Sequence, residues 1–258
     1  MSVILLEREG SVATVSLNRP DKLNVINRAM WLELADTMRT LAADETLRCV
    51  IVRGAGTQAF AAGADIAAFK DERRDLAQAR VYGRSMVEAM ESIAACPHPT
   101  VALIRGVCVG GGLELASMCD LRICGASSRF GIPIKRLGLV MSYGELAGFV
   151  RLVGPAVALE ILLEGRVFGA EEALAKGLVT RVVPDDEVET EVHATARRIA
   201  EGAPLVARWH KRFIRRLADP TPLSDAERLE GYDCFATEDY QIGYQSFLEK
   251  QTPVFKGR

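Results

Sequence analysis

The sequence predicts an α/β fold, and three observations carry that prediction. Short apolar, β-branched runs recur at 49–53, 100–104, 121–124 and 179–183, helical patterns such as 82–95 and 155–163 lie between them, and the chain is long enough to enclose a core. Strands alternating with helices imply α/β organisation with right-handed crossovers. At 258 residues, 49% hydrophobic and 26% charged, the chain suits one large domain or a core with an appendage.

Taken in order, residues 3–9 and 12–17 read as two strands joined at Gly10. Asn27 can cap a helix, because Trp31, Leu34, Met38 and Leu41 follow it at helical spacing. The strand at 49–53 runs into a glycine-bearing stretch and then Phe60-Ala-Ala-Gly-Ala-Asp-Ile66. Pro97 and Pro99 break the helix at 82–95 before the next strand, since proline removes a backbone donor and blocks the preceding turn. From Asp185 onward helix follows helix, punctuated by Gly202-Ala-Pro204 and Asp219-Pro-Thr-Pro222. This places a soft boundary near Gly202, with a core over 1–202 and a helical region over 203–258.

The segment from Gly106 to Asp120 carries the most chemistry. Three consecutive glycines, 110–112, run into an apolar helical pattern with Glu114 in its first turn. Glycine lets backbone approach a ligand without a Cβ in the way. The first amides of a helix lack intrahelical acceptors and can donate to developing negative charge. The structural alternative is a tight helix entry with Glu114 complementing the helix N-terminus. Neither common phosphate motif is present: no Lys-Ser/Thr follows the glycines, and Gly-x-Gly-x-x-Gly spacing is missing.

Composition narrows the rest. A net charge of −2 gives no footprint for nucleic acid. The N-terminal apolar run is too short for a signal peptide, and no uncharged stretch reaches membrane-spanning length. Cysteines at 49, 96, 108, 119, 124 and 234 lack paired metal spacing and read as small core residues in a reducing cytoplasm. Cys108 has no His or Asn partner framing it as a nucleophile. His98, His193 and His210 are scattered, and no metal site is apparent.

A strand followed by Phe60-Ala-Ala-Gly-Ala-Asp-Ile66, a helical region, Thr100-Val-Ala-Leu-Ile-Arg-Gly106 and Gly110-Gly-Gly-Leu-Glu114 resembles the enoyl-CoA hydratase/isomerase (crotonase) superfamily. Leu17-Asn-Arg-Pro-Asp-Lys-Leu-Asn24, Cys119-Asp-Leu-Arg-Ile123, the segment 165–179, Phe235-Ala-Thr-Glu-Asp239 and Ser246-Phe-Leu-Glu-Lys250 extend the likeness along nearly the whole chain. The resemblance implies a crotonase-like ββα spiral core and a C-terminal helical oligomerisation region, in trimers or dimers of trimers. It implies an acyl-CoA thioester as substrate rather than a bound prosthetic group. The two backbone donors that polarise the thioester carbonyl fall on Ala64 and Gly111, and the first catalytic glutamate on Glu114. Expected ligand contacts are Lys22, Leu23, Ala62, Asp65, Ile66, Gly110 and Ile134, with Phe247 and Lys250 reaching in from the C-terminal region.

Two departures qualify the expected chemistry. The second glutamate of hydratases should follow Phe-x-x-Pro, and here Phe130-Gly-Ile-Pro133 is followed by Ile134. Hydration ordinarily uses two carboxylates, so one is missing. In place of a glycine-rich stretch the chain has Met141-Ser-Tyr-Gly-Glu-Leu146, so Ser142, Tyr143 and Glu145 stand where substitute chemistry could be housed. The structural alternative is a Ser-x-x-Glu capping box opening the next helix. The leading expectation is an enoyl-CoA hydratase/isomerase-type enzyme with Glu114 as its general acid/base, its proton affinity raised by apolar neighbours and lowered by the helix N-terminus. The alternatives are an isomerase, decarboxylase or thioester hydrolase using Tyr143 or Glu145, or an acyl-CoA-binding protein with weak catalysis.

Overall fold

A computed structural model describes residues 2–258; Met1, the first residue of the expected core, lies outside them. The chain opens with an antiparallel pair, β1 (Ile4–Glu9) and β2 (Val12–Leu17), turning at Gly10. Helix α1 (Arg28–Ala42) follows, and its cap is the predicted one: the Asn27 side chain accepts from the Met30 amide at 3.1 Å. Trp31, Leu34, Met38 and Leu41 are all buried.

Three similar units come next. β3 (Cys49–Gly54) and β4 (Ala59–Ala61) lead to α2 (Phe69–Glu72) and α3 (Leu76–Ala95). β5 (Thr100–Ile104) and β6 (Val107–Val109) lead to α4 (Gly111–Ser117), and β7 (Leu121–Gly125) and β8 (Arg129–Gly131) to α5 (Tyr143–Glu164). β9 (Phe168–Gly169), α6 (Ala170–Ala175) and β10 (Arg181–Val183) complete the sheets. The main sheet runs β1-β2-β3-β5-β7-β10, parallel from β2 onward, while the second runs β4-β6-β8-β9. Each unit therefore advances one strand in both sheets, which is the ββα spiral the resemblance implies.

Both faces of the main sheet are covered. Val50 and Val52 enter the large core with Trp31, Met86 and Leu113, whereas Cys49, Ile51, Val101 and Ile123 pack with residues of α7 (Val188–Ala200). A strand buried on both faces needs no polar alternation, so residues 49–52 read as an unbroken apolar run. The six cysteines are free and five are buried; burial pushes the Cys108 thiol well above its ordinary value, which suits packing rather than nucleophilic attack.

The structure differs from the sequence prediction in two helices. α3 starts at Leu76, not 82, because Asp75 accepts from the Gln78 amide at 2.9 Å and caps it. α5 starts at Tyr143 and continues through a kink at Gly154, where φ is 76° and Pro155 opens the second half. Among the described residues α5 alone is long and apolar enough to cross a membrane by length and composition, and it exposes Leu159 and Leu163. After β10 the chain is helical: α7, α8 (Pro204–Leu217), α9 (Asp225–Leu229) and α10 (Glu238–Glu249). Lys211 of α8 stands 2.6 Å from the Asp120 carboxylate, Arg215 reaches its other oxygen at 3.1 Å, and Arg208 donates to the Glu45 carbonyl at 2.8 Å.

Candidate active site

β4 and β6 are parallel neighbours, so the chain leaves both from the same end of the second sheet. It leaves β4 through Ala62-Gly63-Ala64 and β6 through Gly110-Gly111. Gly63 (φ 94°) and Gly110 (φ 50°) both occupy the left-handed half of backbone space, where a Cβ is strained. The two turns nearly touch: a Cβ placed on Gly111 would stand 3.9 Å from the Ala64 nitrogen.

Among the described residues, the Ala64 and Gly111 amides of these turns have no backbone acceptor. The Ile26 amide donates to the Gly63 carbonyl at 2.8 Å and the Asp65 amide to the Ile26 carbonyl at 2.9 Å, a parallel bridge that turns the intervening Ala64 N–H to the other side. Gly111 opens α4, so its N–H lacks an intrahelical acceptor. The bridge is braced from behind. Tyr82 Oη donates to the Ile26 carbonyl at 3.2 Å and accepts from Trp31 Nε1 at 3.0 Å, and the Trp31 ring lies beside Gly111. Burial pushes the Tyr82 hydroxyl up to about 12, so it stays protonated and keeps donating.

A cavity of about 300 Å³ opens in front of these turns, with Met86, Val109 and Leu139 among its apolar lining. Glu114, in the first turn of α4, faces it while only 3% exposed. Burial raises its proton affinity most, the charge of Glu145 adds to this and Arg73 opposes it; the carboxyl is pushed up to about 8. Glu145 lines the same cavity from the first turn of α5, and the Ser142 amide donates to its carboxylate. The capping contact that sequence reasoning offered as the alternative to a site role therefore orients a carboxylate already in the site.

A sequence model of the enoyl-CoA hydratase/isomerase family matches residues 7–258. The chain belongs to the enoyl-CoA hydratase/isomerase family. It is 37% identical over 258 residues to a probable enoyl-CoA hydratase of Mycobacterium bovis, covering 99% of this chain and 98% of that one. It is 34% identical to a crotonyl-CoA hydratase of Syntrophomonas wolfei, covering 98% and 97% of the two chains. Among solved structures, an enoyl-CoA hydratase/carnithine racemase from Magnetospirillum magneticum is 53% identical with a TM-score of 0.98, covering 100% of this chain and 97% of its own. At family level this is an enzyme of the enoyl-CoA hydratase type with the crotonase fold.

The remaining predicted positions of this family member separate into three groups. Ala62, Ala64, Ile66, Gly110, Gly111 and Ile134 all line the cavity; Pro133 starts a 3-10 turn (Ile134–Leu137) that sets Ile134 on its wall. Leu23 and Asp65 act on the turn from behind. The Leu23 carbonyl accepts from the Ala62 amide at 3.0 Å, while Asp65 pairs with Arg19 at 2.8 Å. Burial raises the Asp65 carboxyl, but the Arg19 hydrogen bond and charge outweigh it and hold it below the usual range. Lys22, Ser142, Tyr143, Phe247 and Lys250 are exposed and stand off the cavity, Tyr143 at 93% and Phe247 at 83%. Phe247 is therefore not the packed helix residue that its position would otherwise suggest. Arg73 and Arg136 are the charged cavity residues that sequence reasoning missed, because an arginine among other charges carries no signal of its own.

Proposed function

We propose that this protein transforms an acyl-CoA thioester, with the amides of Ala64 and Gly111 binding an enolate-like oxyanion and Glu114 exchanging a proton with the acyl carbon. The observation that carries this reading is the buried Glu114 carboxyl facing a cavity that the closely approaching turns of Ala64 and Gly111 also line. Adding water to a conjugated thioester, or removing a proton next to the carbonyl, moves charge onto the thioester oxygen. A fixed donor at that oxygen contributes about 3 kcal/mol to the barrier decrease. Glu114, pushed up to about 8, holds its proton at neutral pH and can deliver it to carbon, and it takes the proton back in the reverse reaction. The thioester is its own electron sink, so the proposed chemistry calls for no prosthetic group. The ligand's CoA portion would run along 61–66 and the rim at Lys22 and Leu23.

A second reading rests on Glu145. Ile134 supplies no proton acceptor, but Glu145 lines the same cavity and is held by the Ser142 amide. It can take the second proton transfer of a hydration, or serve an isomerisation, decarboxylation or thioester hydrolysis. For assembly, we propose a core over 1–202 and a helical region over 203–258 at subunit contacts, in a homotrimer or dimer of trimers in the cytoplasm. The exposed Tyr244, Phe247 and Leu248 of α10 support that role. Phe247 and Lys250 meet a ligand, on this reading, only once subunits assemble.

The test is a time course of crotonyl-CoA with the purified protein, following the conjugated-enone absorbance, with Glu114→Gln as control. Hydration that disappears in the control is the expected result. Turnover retained by Glu114→Gln removes Glu114 from the chemistry; thioester binding without turnover at any chain length leaves an acyl-CoA binder.

A further inference from the structure

Arg73 is a cation that two aromatic rings seat on the cavity wall. It follows α2 and precedes the cap of α3, half-buried at the cavity wall. Its guanidinium lies 4.7 Å from the centre of the Phe69 ring and 4.8 Å from that of Tyr82. The Tyr82 ring is fixed by its hydroxyl contacts to Trp31 and Ile26, and Phe69 meets it edge-on at 6.5 Å. The adjacent Arg74 pairs with Asp75 at 3.8 Å, whereas Arg73 has no carboxylate within 4.0 Å among the described residues. Two aromatic faces thus hold a guanidinium at a largely apolar wall with its hydrogen-bonding edge unspent.

We propose that Arg73 is a specificity residue that recognises a carboxylate carried on the acyl chain, so that this site prefers thioesters of unsaturated dicarboxylic acids. The inference rests on the acyl-CoA reading above and adds the class of acyl group. Location decides which end of the ligand Arg73 meets. Arg73 lines the same cavity of about 300 Å³ as Glu114, the group proposed to meet the reacting carbons, and the CoA phosphates lie a whole pantetheine arm away from those carbons. A planar guanidinium matches a carboxylate with two parallel hydrogen bonds, which gives orientation as well as affinity. The anion must therefore sit a few bonds beyond the β-carbon. Arg136 is a second guanidinium in the lining, exposed on the 3-10 turn after Pro133, and is the rival reader.

The experiment compares kcat/KM for glutaconyl-CoA with that for 5-methyl-2-hexenoyl-CoA, which carries an isopropyl group where glutaconyl carries its carboxylate. The wild-type protein is expected to favour glutaconyl-CoA, and Arg73→Gln to lower the ratio of the two roughly 10- to 100-fold, as for loss of a charge-assisted hydrogen bond. Arg73→Lys should retain part of the preference. An equal fall on both substrates would show that Arg73 acts on Glu114 or on the fold, and overturns the proposal. A fall that vanishes when pantetheine thioesters replace CoA thioesters assigns Arg73 to a CoA phosphate; collapse of the ratio in Arg136→Gln but not Arg73→Gln assigns the role to Arg136. Either result also overturns it. Calorimetric binding of glutaryl-CoA and 5-methylhexanoyl-CoA reads the same preference without turnover. An Arg73-dependent binding ratio in a protein that turns over neither enoyl substrate would sustain this inference while removing the catalytic reading.

Discussion

The two walls of the cavity are built from different materials. One is backbone: the turns after β4 and β6, fixed by the Ile26 bridge and braced by the Trp31 and Tyr82 side chains. The other is side chain: Ile134, Leu137, Val140 and Glu145, drawn from a 3-10 turn, the loop after it and the start of α5, with Leu137 and Val140 well exposed. The difference teaches where chemistry can vary. Backbone amides hold an oxyanion whatever side chains surround them, provided the turn geometry stands. A wall of half-buried and exposed side chains outside the sheets can exchange a glutamate for an isoleucine without disturbing them.

The sharpest way to break this comparison is Glu114, the one ionisable side chain that the backbone wall presents to the cavity. Glu114→Gln is expected to lower turnover by about 10²- to 10⁴-fold, the usual range for a lost general acid. The same change should stabilise the protein at alkaline pH. Folded Glu114 titrates near 8, while an unfolded glutamate titrates near ~4.3, so the folded state binds more protons across that window. Wild-type stability therefore falls as pH rises through it, and the loss is complete above about 8. Denaturant melts at pH 6 and 9 should show Glu114→Gln gaining on wild type at the higher pH, by a few kcal/mol. An unchanged gap between the two proteins would mean that the carboxyl is ionised in the fold.

The claim that backbone rather than side chain works at residue 64 predicts a split. Ala64→Ser should keep turnover within a few-fold, while Ala64→Pro removes the N–H and should lose roughly 100-fold. Equal losses from both would place the side chain, not the amide, at the ligand. On the opposite wall, Glu145→Gln should lose up to about 10²-fold if the carboxylate transfers a proton, with Tyr143→Phe unaffected. Full activity in Glu145→Gln would reduce Glu145 to its capping contact with Ser142. The smallest effect is expected from Tyr82→Phe, which leaves the buried Trp31 N–H without its acceptor. About 1–3 kcal/mol of unfolding free energy should be lost, read as a lower urea midpoint, with a several-fold loss of turnover as the Ile26 bridge loosens.

Much of this was legible in residue order. The long strands announced themselves because burial on both faces makes them continuous apolar runs, and Asn27 announced α1 because a cap is a local event spanning three residues. The second sheet did not: β4, β6, β8 and β9 have two or three residues each, too few to show a period. Ala64, Gly111 and Glu114 were proposed from motifs that carry the family resemblance, and the glycines among them leave a mark in the sequence because close backbone approach demands glycine. Arg73 left none. An arginine is soluble anywhere, and only the position of two aromatic rings makes this one a wall of the site.

By itself the sequence determined the α/β alternation and the family, and it marked the glycine-bearing turns after β4 and β6, because each depends on contacts between near neighbours or on residues that only one backbone shape accepts. Tertiary structure alone decided that Glu145 shares a cavity with Glu114 while Tyr143, two residues earlier, points to solvent. It also decided that a buried carboxyl is held neutral at pH 7. Those outcomes depend on which distant surfaces exclude water from a side chain, and no local pattern of residues encodes the dielectric around it.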